Sequence, residues 1–257
     1  MVTFDTKVYE KDWKFLLRDG FLKKNIERCN YNFASKNLFI NNVQNLKEVL
    51  HYANKLKNSK IIDNIYVVEE FEKEVLDFFN LTKESFKGGF YYSIAELTSI
   101  YLCSTKYLLH FSGDSFLQKF SKVPWIDESI VIMKENPDIL VANPCWNFNF
   151  EEARMESFGE LKNFYVGYGF SDQCFLVRVD RVRKDIYRET NPISARYPEY
   201  GGELFEKRVD SYMRNHNLKR ITSKNISYIH KNFPKKDFRK IIYELFPTIH
   251  CHKRYRF

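Results

Sequence analysis

Lys106-Tyr-Leu-Leu-His-Phe-Ser-Gly-Asp114 is the stretch on which the fold of this chain turns. A short, mainly apolar run of strand length stops abruptly at Ser112, Gly113 and Asp114. Apolar runs bounded by turn residues suit strands buried on both faces of a sheet. In open α/β sheets, ligands collect beyond the carboxyl ends of such strands. Asp114 is therefore a candidate ligand for a divalent cation, because hard cations take oxygen ligands and share them with phosphates. Gly113 lets backbone approach such a ligand closely. A plain surface turn, with Asp114 capping the next element, is the competing reading.

Working outward, the first 145 or so residues alternate between the two periodicities. Residues 2–8 predict a strand. Residues 12–29 carry Trp13, Leu16, Leu17, Phe21, Leu22 and Ile26 at helical spacing, interrupted at Gly20. Strands are expected at 37–43, 61–68 and 138–142, the last stopping at Asn143-Pro144. Helices are expected at 45–56, 70–79, 91–103 and 124–135. Strand-helix-strand repetition of this kind predicts a mostly parallel central sheet flanked by helices.

The second half changes character. Residues 146–168 mix polar residues, aromatics and Gly, as in a loop-bearing wall. A strand at 173–179, a short helix at 180–185, a helix at 203–216 and a short strand at 226–229 follow. The chain is thus expected to form one α/β domain with a mixed second half.

Composition narrows the function. Forty-one basic against 33 acidic residues give a net charge of +8. Eight Lys or Arg and two acidic residues fall within 231–257, so +6 of that sits in the last 27 residues. A basic end suits nucleic acid, anionic lipid or a phosphorylated ligand, and equally a solvated face. Five separated cysteines without a CxxC pair argue against a zinc ribbon or a disulfide framework. With no apolar run of about 20 residues and no signal-peptide pattern at the start, a reducing, cytoplasmic setting is expected. Walker, GxSxG, HExxH and GxGxxG motifs are all missing from the sequence.

Three further positions attract attention. His230 ends the 226–229 run and suits a remote metal ligand or a hydrogen bond to a diphosphate, or a structural role at a strand end. Glu203 opens the 203–216 helix with Glu206 three residues on, so the two carboxylates share roughly one face. Glu203 is a candidate general base, although acids also favour a helix's first turn for its dipole. Asp172, just before the 173–179 strand, is the competing carboxylate. His250, Cys251 and His252 make only a weak zinc cluster.

In order and spacing, these segments resemble nucleotide-sugar-dependent glycosyltransferases of the GT-A fold. The stretch ending at Asp114 looks like that family's central strand and Asp-x-Asp turn, with Ser112 at the first aspartate position. The Asn41-Asn42 pair sits where such enzymes end a nucleotide-binding strand. Gly201-Gly-Glu-Leu-Phe-Glu206 resembles an acidic helix start that supplies the base in inverting members. The resemblance implies a GT-A-like domain over 1–230, with a basic extension at 231–257. It implies Mn2+ or Mg2+ as cofactor, held by Asp114 and His230. The donor diphosphate would meet Asn42, Ser112, Gly113, Asp114 and His230, and catalysis would rest on Glu203 or Asp172. The expected partners are a nucleotide-sugar donor and a glycan or glycolipid acceptor, with inversion slightly favoured and no nucleic acid. The amphipathic basic run after His230 suits either docking of its apolar residues onto the domain with the charges facing water or peripheral contact with an anionic membrane. A noncatalytic scaffold of the same fold and a basic nucleic-acid-binding protein are the alternatives.

Overall fold

The structure, a computed structural model, describes residues 1–117, 123–197 and 202–230. The chain opens with β1 (Val2–Val8), a π-helical turn over Lys14–Arg18 and α1 (Phe21–Cys29). Left-handed Gly20 (φ 78°) separates these two short helices, as its position within an apolar helical pattern led one to expect. Then come β2 (Ser35–Ile40), α2 (Leu46–Asn58), β3 (Asn64–Val67), α3 (Glu72–Phe78), α4 (Ile94–Leu102), β4 (Tyr107–Phe111) and β5 (Ser115–Leu117). The second half contains α5 (Trp125–Glu135), β6 (Ile139–Trp146), α6 (Phe150–Met155), β7 (Ser157–Leu161), β8 (Phe164–Gly167) and β9 (Cys174–Arg178). It ends with α7 (Val179–Val182), α8 (Phe205–Asn215) and β10 (Lys219–His230).

Among the described residues the strands make one sheet in the order β3-β2-β1-β4-β9-β6-β10-β8-β7, with β5 added against β10. β3, β2, β1 and β4 are mutually parallel. β9 enters antiparallel between β4 and β6, and β10 runs parallel to β6. The carboxyl ends of β1, β2, β4 and β10 therefore share one sheet edge with the amino end of β9. That single fact of direction positions the site.

Strand alternation splits the core into two layers. Val2 and Phe4 of β1 and Tyr107, Leu109 and Phe111 of β4 pack into one layer with Trp13, Leu22, Val49 and Trp125. Leu108 joins the opposite layer with Ile94, Leu97, Phe175 and Phe205. This is a single α/β domain with a largely parallel central sheet between helices, mixed in its later strands.

Four expectations need correction. β6 does not stop at Asn143-Pro144 but continues to Trp146. Its ladder with β9 covers only Val141 and Ala142, and β10 shifts register between Thr222 and Ser227 opposite Pro144. Proline is tolerated where the neighbouring ladder is interrupted. The wall expected at 146–168 is instead α6 and the β7-β8 hairpin, with β8 recruited by β10. The short strand at 226–229 is the end of the twelve-residue β10. The helix expected from 203 starts only at Phe205, because Leu204 is extended (φ −66°, ψ 154°) and the Glu203 amide is bound to the Phe86 carbonyl at 2.9 Å. Gly201, the 231–257 extension with its membrane expectation, and His250, Cys251 and His252 lie outside the described residues.

Candidate functional site

Asp114 and His230 meet at the shared edge. Asp114 follows β4, His230 is the last residue of β10, and His230 Nε2 lies 3.2 Å from Asp114 Oδ2. Ser112 Oγ donates to Asp114 Oδ1 at 3.0 Å and is 2.8 Å from Ser115 Oγ. The His230 amide donates to Asn147 Oδ1 at 3.0 Å, which fixes the strand end. Burial works against the Asp114 carboxylate, but the hydrogen bond and charge of His230 outweigh it and hold its pKa below the ordinary value. Conversely, burial opposes the His230 imidazolium, while Asp114 prevails and raises its pKa. Each partner stabilises the other's charged form.

Gly113, between Ser112 and Asp114, is required by packing. A Cβ there would collide with the Asp12 carboxylate and stand 2.7 Å from the Lys7 carbonyl oxygen. The turn lies flat on the end of β1 because residue 113 has no side chain. Asp12 is buried and accepts the Tyr9 amide at 2.8 Å. Burial, reinforced by Asp114, pushes its pKa well above the usual carboxylate range.

Beneath this turn lies a network that the sequence reading did not single out. Alternation sends Asp5 and Lys7 of β1 and His110 of β4 to the α4 side of the sheet. There His110 Nδ1 is 2.6 Å from Asp5 Oδ1, and Ser99 Oγ donates to Asp5 Oδ2. His110 Nε2 is 3.8 Å from Glu96 Oε1, and the His110 ring stacks on Phe175 at 4.8 Å. Lys7 Nζ pairs with Glu96 and donates to the Tyr92 carbonyl at 3.4 Å. Burial disfavours the Lys7 ammonium, yet Glu96, Asp172 and Asp114 reverse that and raise its pKa. Lys7 is thus a fixed cation facing the carboxylates at the edge. Two signals in the sequence point to this network: charged Asp5 and Lys7 in an otherwise strand-like run, and Glu96 as the lone charge in the Ile94–Leu102 helix.

Asp172 precedes β9, so the antiparallel insertion brings it to the same edge. The fields of Lys7, Glu96, Glu206 and His230 all include it. Glu206, in the first turn of α8, is the carboxylate from that helix that faces Asp172. Burial, then the Asp172 charge, raise its pKa well above normal, although the Asp172 backbone hydrogen-bonds to it.

Glu203 has different neighbours. It pairs with Lys207 at 3.0 Å and Lys87 at 3.7 Å. Burial tends to raise its pKa, and Lys207 and Lys87 bring it below the ordinary value. Asn42 is exposed at the end of β2 with φ 51°, its amide bound to Glu69 Oε1 at 2.8 Å. Neighbouring Asn41 turns inward and donates to the Tyr91 carbonyl at 2.8 Å. Asp114, Ser112, Gly113, His230 and Asp172 are therefore brought together, whereas Glu203 and Asn42 engage other partners.

Among the described residues, no group of three or more His, Cys, Asp or Glu side chains could hold a metal ion. Asp114 and His230 nevertheless point at one spot. A cation would fit only in place of the proton that His230 Nε2 shares with Asp114, taking one carboxylate oxygen and one neutral imidazole nitrogen from the protein and the rest of its shell from phosphate and water. Cys29, Cys103, Cys145 and Cys174 are buried free thiols, and burial raises the Cys145 pKa to about 12, which suits packing more than nucleophilic work. No helix among the described residues is long and apolar enough to cross a membrane.

No family model matches the chain, and no curated protein matches it. Solved structures align over most of its length. A UDP-glucose pyrophosphorylase complexed with UDP-glucose is 10% identical, covering 87% of this chain and 90% of its own, with a TM-score of 0.49. Glucosyl-3-phosphoglycerate synthase from Mycobacterium tuberculosis, in complex with Mg2+ and UDP, is 11% identical over 96% and 79%, with a TM-score of 0.47. Mouse xyloside xylosyltransferase 1 in its apo form is 11% identical over 84% and 82%, with a TM-score of 0.42. At these identities and scores the likeness is one of chain path alone.

Proposed function

We propose that this chain transfers a sugar from a nucleotide-sugar donor to a hydroxyl of a glycan or glycolipid acceptor, with a divalent cation, Mn2+ or Mg2+, accompanying the donor diphosphate. The observation that carries this reading is the meeting of Asp114 and His230 at the carboxyl edge of the sheet, next to Lys7 and Asp172. Asp114, Asp172 and Glu96 there outnumber Lys7 once His230 gives up its proton to act as a ligand. A diphosphate entering such a field needs added positive charge, which is the physical case for a cation carried in with the donor.

Asp114 and His230 would hold the cation, which when bound supplies neutralisation of the charge that grows on the leaving diphosphate. Lys7 adds a second, permanent positive charge, pre-set by Glu96 and the Tyr92 carbonyl, so no reorganisation is needed as the leaving group departs. Gly113 serves by letting the Ser112-Asp114 turn pack on the end of β1, which sets Asp114 in place. Asp172 is the favoured general base: it is partly exposed at the edge and near the donor end of the site. It takes the proton of the acceptor hydroxyl as the oxygen bonds to the anomeric carbon and the bond to the diphosphate breaks, with inversion. Glu203 is the alternative base, at a disadvantage because Lys207 and Lys87 already hold it.

A panel of nucleotide sugars, screened for binding and then for slow hydrolysis without acceptor, tests the reading. One donor should bind in the presence of Mn2+ or Mg2+ and release its nucleoside diphosphate, with EDTA abolishing both. If no nucleotide sugar binds with either ion, the reading is wrong.

A further inference from the structure

Away from the carboxylates, two arginines converge on one point of the loop that leads to Asp172. Gly169 has a φ of 109°. The position its Cβ would occupy is 2.5 Å from Arg196 Nη2 and 3.1 Å from Arg220 Nη1. A side chain there would be strained in the backbone and would displace both guanidinium groups. Arg220 projects from β10 opposite Gly167 of β8. Its residue is only 6% exposed, and among the described residues its Nε has no hydrogen-bond partner. Its guanidinium lies over the Trp146 ring at 5.2 Å and pairs with Glu156 at 3.3 Å.

Arg196 ends the 3-10 turn over Pro192–Arg196 and is exposed. Its guanidinium lies 5.2 Å from the centroid of the Tyr197 ring. Tyr197 Oη donates to the Phe170 carbonyl at 2.6 Å and accepts the Phe170 amide at 3.0 Å. Those two bonds pin residue 170 between the arginines and Asp172. One carboxylate, Glu156, is within ion-pair distance of Arg220, and its charge, with that of Asp210, also reaches Arg196. Two converging guanidinium forks match the planar oxygens of carboxylate and phosphate.

We propose that Arg196 and Arg220, backed by Trp146, form an acceptor subsite for an oxyanion, a phosphate or a carboxylate carried by the acceptor. This rests on the reading of Asp172 as the acceptor-side base, three residues along the loop from Gly169. The acceptor class becomes an acidic or phosphorylated sugar. Its anion would be anchored at the arginines while its hydroxyl reaches Asp172.

The test is binding of inorganic phosphate, and in a parallel arm glucuronate, to the full chain by calorimetry or NMR. UDP with Mn2+ is titrated alongside. One probe or both should bind, and whichever binds tighter identifies the phosphate or the carboxylate acceptor. Arg196→Ala should weaken that binding about tenfold or more, with Arg196→Lys losing less. UDP binding should stay as in the unaltered chain for both. Arg220→Lys, which keeps the buried charge, is the second variant and should also weaken the anion. Failure of both probes to bind, equal binding to Arg196→Ala, or displacement of the anion by UDP overturns the subsite. Loss of UDP binding in the unaltered chain would strike the donor reading instead, so the two failures are distinguishable.

Discussion

The Nε2 atom of His230 lies 3.2 Å from Oδ2 of Asp114, and this one contact joins the turn after β4 to the last residue of the described chain. It exists because β6 and β10 run parallel to β4 across the inserted β9, so that strands distant in sequence finish at one edge. The contact is the natural first target of mutagenesis.

Asp114→Asn removes the charge and keeps the shape. Affinity for a nucleoside diphosphate with Mn2+ is expected to fall at least tenfold, equivalent to about 1.4 kcal/mol. In the absence of metal, the same variant should bind the nucleotide no worse than the unaltered chain, because a repelling carboxylate has gone. Calorimetric titrations with Mn2+ and with EDTA read both effects. Equal loss under the two conditions would point to a damaged turn and not to a cation site.

Asp172→Asn should preserve donor binding and depress turnover by about 10²–10⁴, the usual contribution of general-base catalysis. Glu203→Gln should cost far less. Donor affinity and steady-state rates, measured for both variants with the same acceptor, rank the two carboxylates directly. A larger loss for Glu203→Gln reverses the assignment.

Lys7→Met leaves Glu96 and Asp5 buried without their cation. Removing one member of a buried ion pair typically costs about 3–5 kcal/mol, so a clear drop in the urea midpoint is expected. The double variant Lys7→Met with Glu96→Leu should recover much of that loss without recovering nucleotide binding. If the double variant is no more stable than the single one, Glu96 is not the charge that Lys7 compensates.

Glu206→Gln gives a pH-dependent stability with a definite sign. Burial and Asp172 raise the Glu206 pKa in the folded chain, so the native state holds a proton that the unfolded chain releases near the ordinary glutamate value. Stability from this group is complete at low pH and is lost as pH rises from about 4.3 toward the raised folded value. The Gln variant should therefore match the unaltered chain near pH 4 and be the more stable of the two near pH 8. Denaturation curves across that range check it, and a gain of equal size at both ends would contradict it.

How much of this was legible in the sequence follows from the range of the forces involved. The first-half strands and helices were readable because alternation and 3.6-residue periodicity are local consequences of burying one face. Gly20 was readable for the same reason, as a local break in a local pattern. Residues 138–146 misled because Asn143-Pro144 is a stop signal only where both neighbouring ladders are intact. Whether β9 and β10 are intact opposite Pro144 is decided by chain segments far away.

The site divides along the same line. Ser112, Gly113 and Asp114 were singled out because a strand ending in a polar glycine turn is a feature of adjacent residues. His230 and Asp172 could be suspected one at a time, but not as neighbours. Their meeting depends on the antiparallel direction of β9 and the parallel return of β10, and strand direction leaves no mark on local periodicity. Glu203 and Glu206 differ by three positions and look alike in sequence. The extended Leu204 sends one to Lys207 and Lys87 and the other toward Asp172. Sequence alone determined which segments form strands and helices and where one loop gathers polar atoms, since those follow from contacts between near neighbours. Only the tertiary structure decided which charges share a field, because electrostatic energy depends on distance through space and on burial, and neither is set until the sheet has closed.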